Sequence, residues 1–193
     1  MFELYFQKFN EKVAITNDDR QLIEQYLTPK KLRKKQYLLQ EGDICKHIAF
    51  VEKGALRAYV LDQEGQEHIT AFALEGWTIG DLPSFINHEP ASLNIDALED
   101  CELVLISRAA HEELLAKLPK YETHVRITAT NGLIALQKRM TSMISLPLDE
   151  RYKAFMLMHQ QLFQRVPQHM IASFMGVSPE TLSRVRSRIN NKG

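Results

Sequence analysis

Glu180 and Arg184 stand one helical turn apart in the segment VPQHMIASFMGVSPETLSRVRSRI, which runs from Val166 to Ile189. On a common helix face, the planar guanidinium fork can meet guanine O6 and N7, and the carboxylate can accept from a cytosine amino group. Ser178 and Thr181 set hydroxyls beside the free backbone N–H groups of a helix start, a place that holds a phosphate. Arg186 and Arg188 follow, expected toward the flank and its phosphates. This is the chemistry of reading double-stranded DNA, and it makes or breaks no bond.

A row of arginines is usually a solvated face, so the elements around it decide its meaning. Pro167 suits the first turn of a helix through Met170, Ile171, Ala172, Phe174 and Met175 that halts at Gly176. Ser178-Pro179-Glu180 then supplies an N-cap hydroxyl, a first-turn proline and an early carboxylate for a second helix. Ala172 is small where the two helices cross, Gly176 can take the left-handed turn, and Val177, Leu182, Val185 and Ile189 form the buried side. The layout is helix, glycine turn, helix. Upstream, a further helix is expected from Leu146-Pro147-Leu148 to about Gln164.

Residues 108–118 read as a short helix, and Pro119 marks a bend into a longer one. Between Tyr121 and Met143, the residues Val125, Ile127, Ala129, Leu133, Ile134, Leu136 and Met140 make an extended apolar stripe without an internal proline. Such a helix either packs on its own domain or pairs with its twin across a two-fold axis.

The first part of the chain has a different texture. One or two short helices fit residues 3–27, ending at Thr28-Pro29, and from Lys34 onward short β-rich runs alternate with glycine-centred turns at 42, 54, 65, 76 and 80. That is the pattern of a small antiparallel barrel or jelly roll. The stretch Gly76–Pro83 can either cradle a small ligand with backbone N–H groups or simply turn a tight corner. His47, His68, His88 and His111 show no H-x-H or H-E-x-x-H spacing, and no Ser or Cys stands in a nucleophile elbow, so neither a metal site nor an enzyme is expected.

The 193 residues, 45% of them hydrophobic, suffice for one good core or two small domains. The 24 basic and 24 acidic side chains cancel overall, but residues 1–119 carry 13 basic and 20 acidic, whereas residues 120–193 carry 11 and 4. A polyanion therefore belongs on the second part. Two isolated thiols, Cys45 and Cys101, suit a reducing compartment, and with no signal peptide or membrane span in sight a soluble cytoplasmic protein is expected.

With these residues in place, the chain resembles the Crp/Fnr superfamily of bacterial transcription regulators over nearly its full length. The match is best in GVSPETLSRVRSRI and extends to EGDICKHIAFVEKGALRAYV, EGWTIGDLPSF and IDALEDCELVLIS. The resemblance implies an α+β fold: an N-terminal antiparallel β-barrel of the cyclic-nucleotide-binding kind over 1–119, a long dimerisation helix over 120–145, and a C-terminal winged helix-turn-helix over 146–193. The wing after Ile189 is cut short to Asn190-Asn191-Lys192-Gly193.

The resemblance also implies a homodimer on a pseudo-palindrome of DNA, with RNA polymerase as a further partner. It makes Glu180 and Arg184 base readers, Ser178 and Thr181 phosphate contacts, and Gln168 a backbone contact at the start of the preceding helix. Pro179 replaces an arginine that often reads a base in the family, which alters specificity at one base pair.

The family's cAMP pocket has a Gly-Glu and an Arg-Ser; here Gly80-Asp81 and Ala91-Ser92 stand in those places. Asp81 can accept from a ribose hydroxyl, but Ala91 cannot pair with a cyclic phosphate, and the adenine-facing Thr-Ser step is missing from residues 127–134. So cAMP is not the expected effector. A bulky Trp77 or Phe85 turned inward would fill the pocket outright. The cysteine cluster of the oxygen-sensing relatives is absent too, so no iron–sulfur cofactor is expected. The rival reading is a small-ligand sensor whose C-terminal helices dock a protein.

Overall fold

The computed structural model describes residues 2–190. The chain divides into two compact units: one takes Thr70–Ala129 together with the chain up to Val60, and the other takes Leu61–Ile69 together with the chain from Thr130 onward.

Helices α1 (Glu3–Asn10) and α2 (Asn17–Glu24) precede strands β1 (Leu27–Leu32), β2 (Tyr37–Leu39), β3 (His47–Lys53), β4 (Leu56–Leu61), β5 (Glu67–Ala73) and β6 (Thr78–Ile79), all of the first unit except the end of β4 at Leu61 and the start of β5 up to Ile69. Helix α3 (Leu82–Asn87), strands β7 (Asn94–Ala97) and β8 (Cys101–Ser107) and helix α4 (Arg108–Lys117) follow. The strands form two four-stranded sheets, in the orders β1-β8-β3-β6 and β2-β7-β4-β5. This is the expected jelly roll.

Alternation along the strands builds two cores. Ala49, Val51, Leu103 and Leu105 point between the sheets, where they meet Leu39, Leu56, Ala58 and Ile95. Their neighbours Phe50, Val104 and Ile106 point the other way, under Phe6, Phe9, Ile23, Leu114 and Tyr121 from the helices. Ring contacts lock that outer layer: Tyr5 meets Phe50 edge-on at 5.3 Å between centroids.

Two elements differ from the sequence expectation. Strand β1 includes Thr28-Pro29, where the helical pattern was expected to end and no strand to begin before Lys34. Its four central residues are all exposed, with only Leu27 and Leu32 buried, so it lacks the alternation that marks a strand. It exists because β8 pairs with it along its whole length, and Pro29 is tolerated because β1 lies at the sheet edge. The second difference is α3, which lies inside the segment read as a cradle or a corner; Asp81 caps it and Pro83 sits in its first turn.

Gly80 also needs a different explanation from the turn glycines. It lacks their positive φ, and a Cβ there would fall 2.5 Å from Ile48 Cδ1.

Helix α5 (Pro119–Ser145) is continuous for 27 residues. Tyr121 is buried within the first unit, whereas in the second unit Leu133, Leu136, Met140 and Ile144 are at least 60% exposed. Helices α6 (Leu148–Met158), α7 (Gln160–Arg165), α8 (Gln168–Phe174) and α9 (Pro179–Asn190) complete the second unit. The single helix expected up to Gln164 is broken at His159, whose φ of −132° and ψ of 42° lie outside the helical region. Of the residues read as the wing, Asn190 closes α9, and Asn191, Lys192 and Gly193 lie outside the described residues. Among the described residues, no helix is long and apolar enough to cross a membrane.

Candidate nucleic-acid interface

The turn between α8 and α9 is built by local bonds. The N–H groups of Met175, Gly176 and Val177 return to the carbonyls of Ile171, Ser173 and Ala172. Gly176 makes this possible with a φ of +70°, a conformation that costs a side-chain-bearing residue about 1–2 kcal/mol. Ile171, Ala172, Met175, Leu182 and Val185 are buried where the two helices meet, together with Tyr152, Phe155 and Leu162. Ala172 is fully buried, as a close helix crossing requires.

Burying Leu182 and Val185 turns the opposite face of α9 outward. Glu180 and Arg184 are both exposed there, one turn apart. The Glu180 carboxyl lies below its ordinary range, first because its own backbone N–H bonds to it, then because of the Ser178 hydroxyl and the charge of Arg184. Ser178 Oγ accepts from Thr181 N–H at 3.2 Å and lies 3.1 Å from Thr181 Oγ1, so the hydroxyls singled out for phosphate contact cap the helix as well. Pro179 occupies the first helical position, and Gln168 is exposed at the start of α8.

The remaining arginines part company. Arg186 is half-buried, with its charge close enough to act on the Tyr152 phenol. Arg188 donates to Asp149 Oδ1 at 2.7 Å, across from the start of α6. Two exposed residues escaped the sequence reading, Ser183 and Ser187. They lie three and seven residues beyond Glu180, on its face, and that spacing was the signal that could have found them.

The residues of the expected ligand pocket serve the barrel itself. Asp81 is 1% exposed. Its Oδ1 accepts from Ser84 N–H at 3.1 Å; Oδ2 accepts from Ser92 N–H at 2.9 Å, Ser92 Oγ at 3.2 Å and Leu93 N–H at 3.2 Å. The carboxylate read as a partner for a ribose hydroxyl is thus engaged by four internal donors. Ala91 is buried, with its backbone tied to Asp43 and Gly42.

Phe85 points into the inner core, whereas Trp77 stays 41% exposed. A cavity of about 430 Å³ opens between β2 and the Asp43–His47 segment, and of the four expected pocket residues only Gly80 lines it. Burial pushes the Cys45 thiol there upward, so it is no activated nucleophile.

The geometry matches known proteins in both parts. The cyclic nucleotide-binding domain model fits residues 29–118, from β1 to just past the end of α4. The regulatory protein HlyX of Actinobacillus pleuropneumoniae is 23% identical over 175 residues, covering 85% of this chain and 72% of its own. The transcriptional activator Anr of Pseudomonas aeruginosa is 25% identical over 173 residues, covering 84% and 70%. The structure of FixK2 from Bradyrhizobium japonicum superimposes with a TM-score of 0.74 at 22% identity, covering 86% of each chain.

Over most of its length the chain is similar to transcription regulators of the Crp/Fnr kind. The likeness of fold extends beyond the domain model into the C-terminal helices, as the coverage of FixK2 shows.

Proposed function

We propose that the protein is a sequence-specific DNA-binding transcription regulator that acts as a homodimer on a pseudo-palindromic site without cAMP. The exposed Glu180–Arg184 pair carries the reading. It stands on a helix whose opposite face is buried against α8, with Ser183 and Ser187 beside it. Two such helices entering successive major grooves lie about 34 Å apart.

The two-fold partner is supported by the bare stripe of α5, where Leu133, Leu136, Met140 and Met143 recur every three or four residues and are all at least half exposed. Independence from cAMP is supported by the engaged Asp81, by Ala91 in place of a phosphate-binding arginine and by Phe85 in the barrel core. In this role the protein works in the cytoplasm, with RNA polymerase as its further partner.

The test is selection from a randomised duplex library by the full chain, with its mass in solution measured in parallel. Enrichment of a two-fold site by a dimer is the expected result. Weak, sequence-independent binding by a monomer overturns the reading. The rival, a ligand sensor that docks a protein, draws on the 430 Å³ cavity and on exposed Leu157 and Met158 of α6. DNA binding that hardly responds to salt would favour it.

A further inference from the structure

Phe174 is the last residue of α8, so its carbonyl belongs to the final turn, where donors come from outside the helix. The N–H groups of the turn do not reach it, because they go to Ile171, Ala172 and Ser173. Arg139, from α5, does: its Nη2 donates to Phe174 O at 3.0 Å. The same guanidinium lies 3.9 Å from the centre of the Phe174 ring. One side chain therefore caps α8 and stacks on its final ring, a cation at the negative end of a helix. Burial lowers the Arg139 pKa, consistent with a guanidinium withdrawn from water.

What Arg139 grips is part of a packed aromatic cluster. The Phe174 ring packs against Phe155 of α6 at 5.3 Å, and Phe155 meets Phe163 of α7 at 5.4 Å. Two residues beyond Phe174, Gly176 turns the chain into α9. On the same turn of α5, Met140 faces solvent at 60% exposure. A single helical turn thus holds α8 with one residue and offers an apolar side chain to a twin with the next.

We infer that Arg139 is a positioning residue: it sets the angle of the α8–α9 pair on the long helix, and so the spacing between the two half-sites that a homodimer reads. The inference rests on the DNA-binding, two-fold reading above. Lysine cannot replace it, because a point charge does not lie flat on a ring while donating to a carbonyl beside it.

The test uses the full-length parent, Arg139→Lys, Arg139→Gln and Phe174→Leu. Each is offered palindromes whose half-sites are moved apart or together one base pair at a time, with thermal unfolding measured alongside. The parent should favour one spacing sharply. The Arg139 variants should bind that site about 10-fold more weakly and lose most of the preference between neighbouring spacings. Their penalty for a wrong base within a half-site should stay that of the parent, which a general loss of structure would not allow.

If Arg139→Gln unfolds, Phe174→Leu, which keeps the carbonyl and removes the ring, carries the comparison. Spacing profiles identical to the parent's in both Arg139→Lys and Phe174→Leu overturn the role of Arg139 and leave the DNA-binding reading intact. A parent that selects no two-fold site overturns both.

Discussion

Arg188 Nη2 lies 2.7 Å from Asp149 Oδ1, so the last turn of α9 is tied to the first turn of α6. Both side chains are more than a third exposed, and an ion pair of that kind adds at most about 1 kcal/mol to stability. Its larger effect is on what Arg188 can touch. Asp149→Ala should leave the unfolding temperature almost unchanged while raising affinity for non-specific duplex, because the freed guanidinium adds a phosphate contact. A binding series over several salt concentrations should show a slope steeper by about one unit; an unchanged slope would mean that Arg188 does not face DNA.

Glu180 and Arg184, proposed as base readers, should behave differently. Arg184→Ala and Glu180→Ala should each cost about 1–3 kcal/mol on the selected site and relax discrimination at one base pair, measured by competition at fixed salt. Arg186→Ala should weaken all sequences alike and flatten the salt dependence. Equal loss on matched and mismatched sites for the first two variants would reassign them to the backbone.

The Asp81 carboxylate accepts four hydrogen bonds within the barrel. Asp81→Ala leaves the N–H groups of Ser84, Ser92 and Leu93 without the acceptor they share. A loss of about 3 kcal/mol is expected in chemical denaturation. Neither the parent nor the variant should gain stability from cAMP in a thermal shift. A cAMP-dependent rise in the parent would return Asp81 to the ligand.

His124 gives the first unit a pH dependence. Its ring lies 4.0 Å from the Phe9 ring, both of its nitrogens are buried without a hydrogen-bond partner, and burial, with Lys12 nearby, lowers its pKa to about 4. Unfolded, it titrates near 6.5. The contribution of the neutral ring is therefore fully present above about pH 6.5 and is lost as pH falls toward 4, by at most about 3 kcal/mol. His124→Leu should flatten the stability profile between those values, and an unchanged profile would show that other groups dominate it.

The α5 stripe can be tested without DNA. Leu136→Glu with Met140→Glu places two charges where a twin helix would pack, both at positions exposed in the single chain. Sedimentation should show a monomer, with the helical circular dichroism of the protomer retained. A dimer of undiminished strength would place the two-fold contact elsewhere.

How much of this could be read beforehand followed the range of the interactions. The helix-turn-helix was legible because its signals are local. Pro179, the Ser178 cap, the Gly176 turn and the spacing of Leu182 and Val185 all act within a few residues of one another. The strands with alternating side chains and glycine turns were legible for the same reason. β1 was not, since its polar residues become a strand only when β8 pairs with them from some 70 residues away.

The sequence by itself thus determined the class of protein, the polarity of its two parts and the face that α9 shows to solvent. The tertiary structure decided what each polar group is free to do. Asp81 turned from a candidate ligand contact into an internal acceptor, Arg188 found Asp149, and Arg139 found the carbonyl and ring of Phe174. Composition and periodicity record which groups a chain carries. Only packing brings distant donors within hydrogen-bond reach, and a group already satisfied inside the fold is no longer available to a ligand.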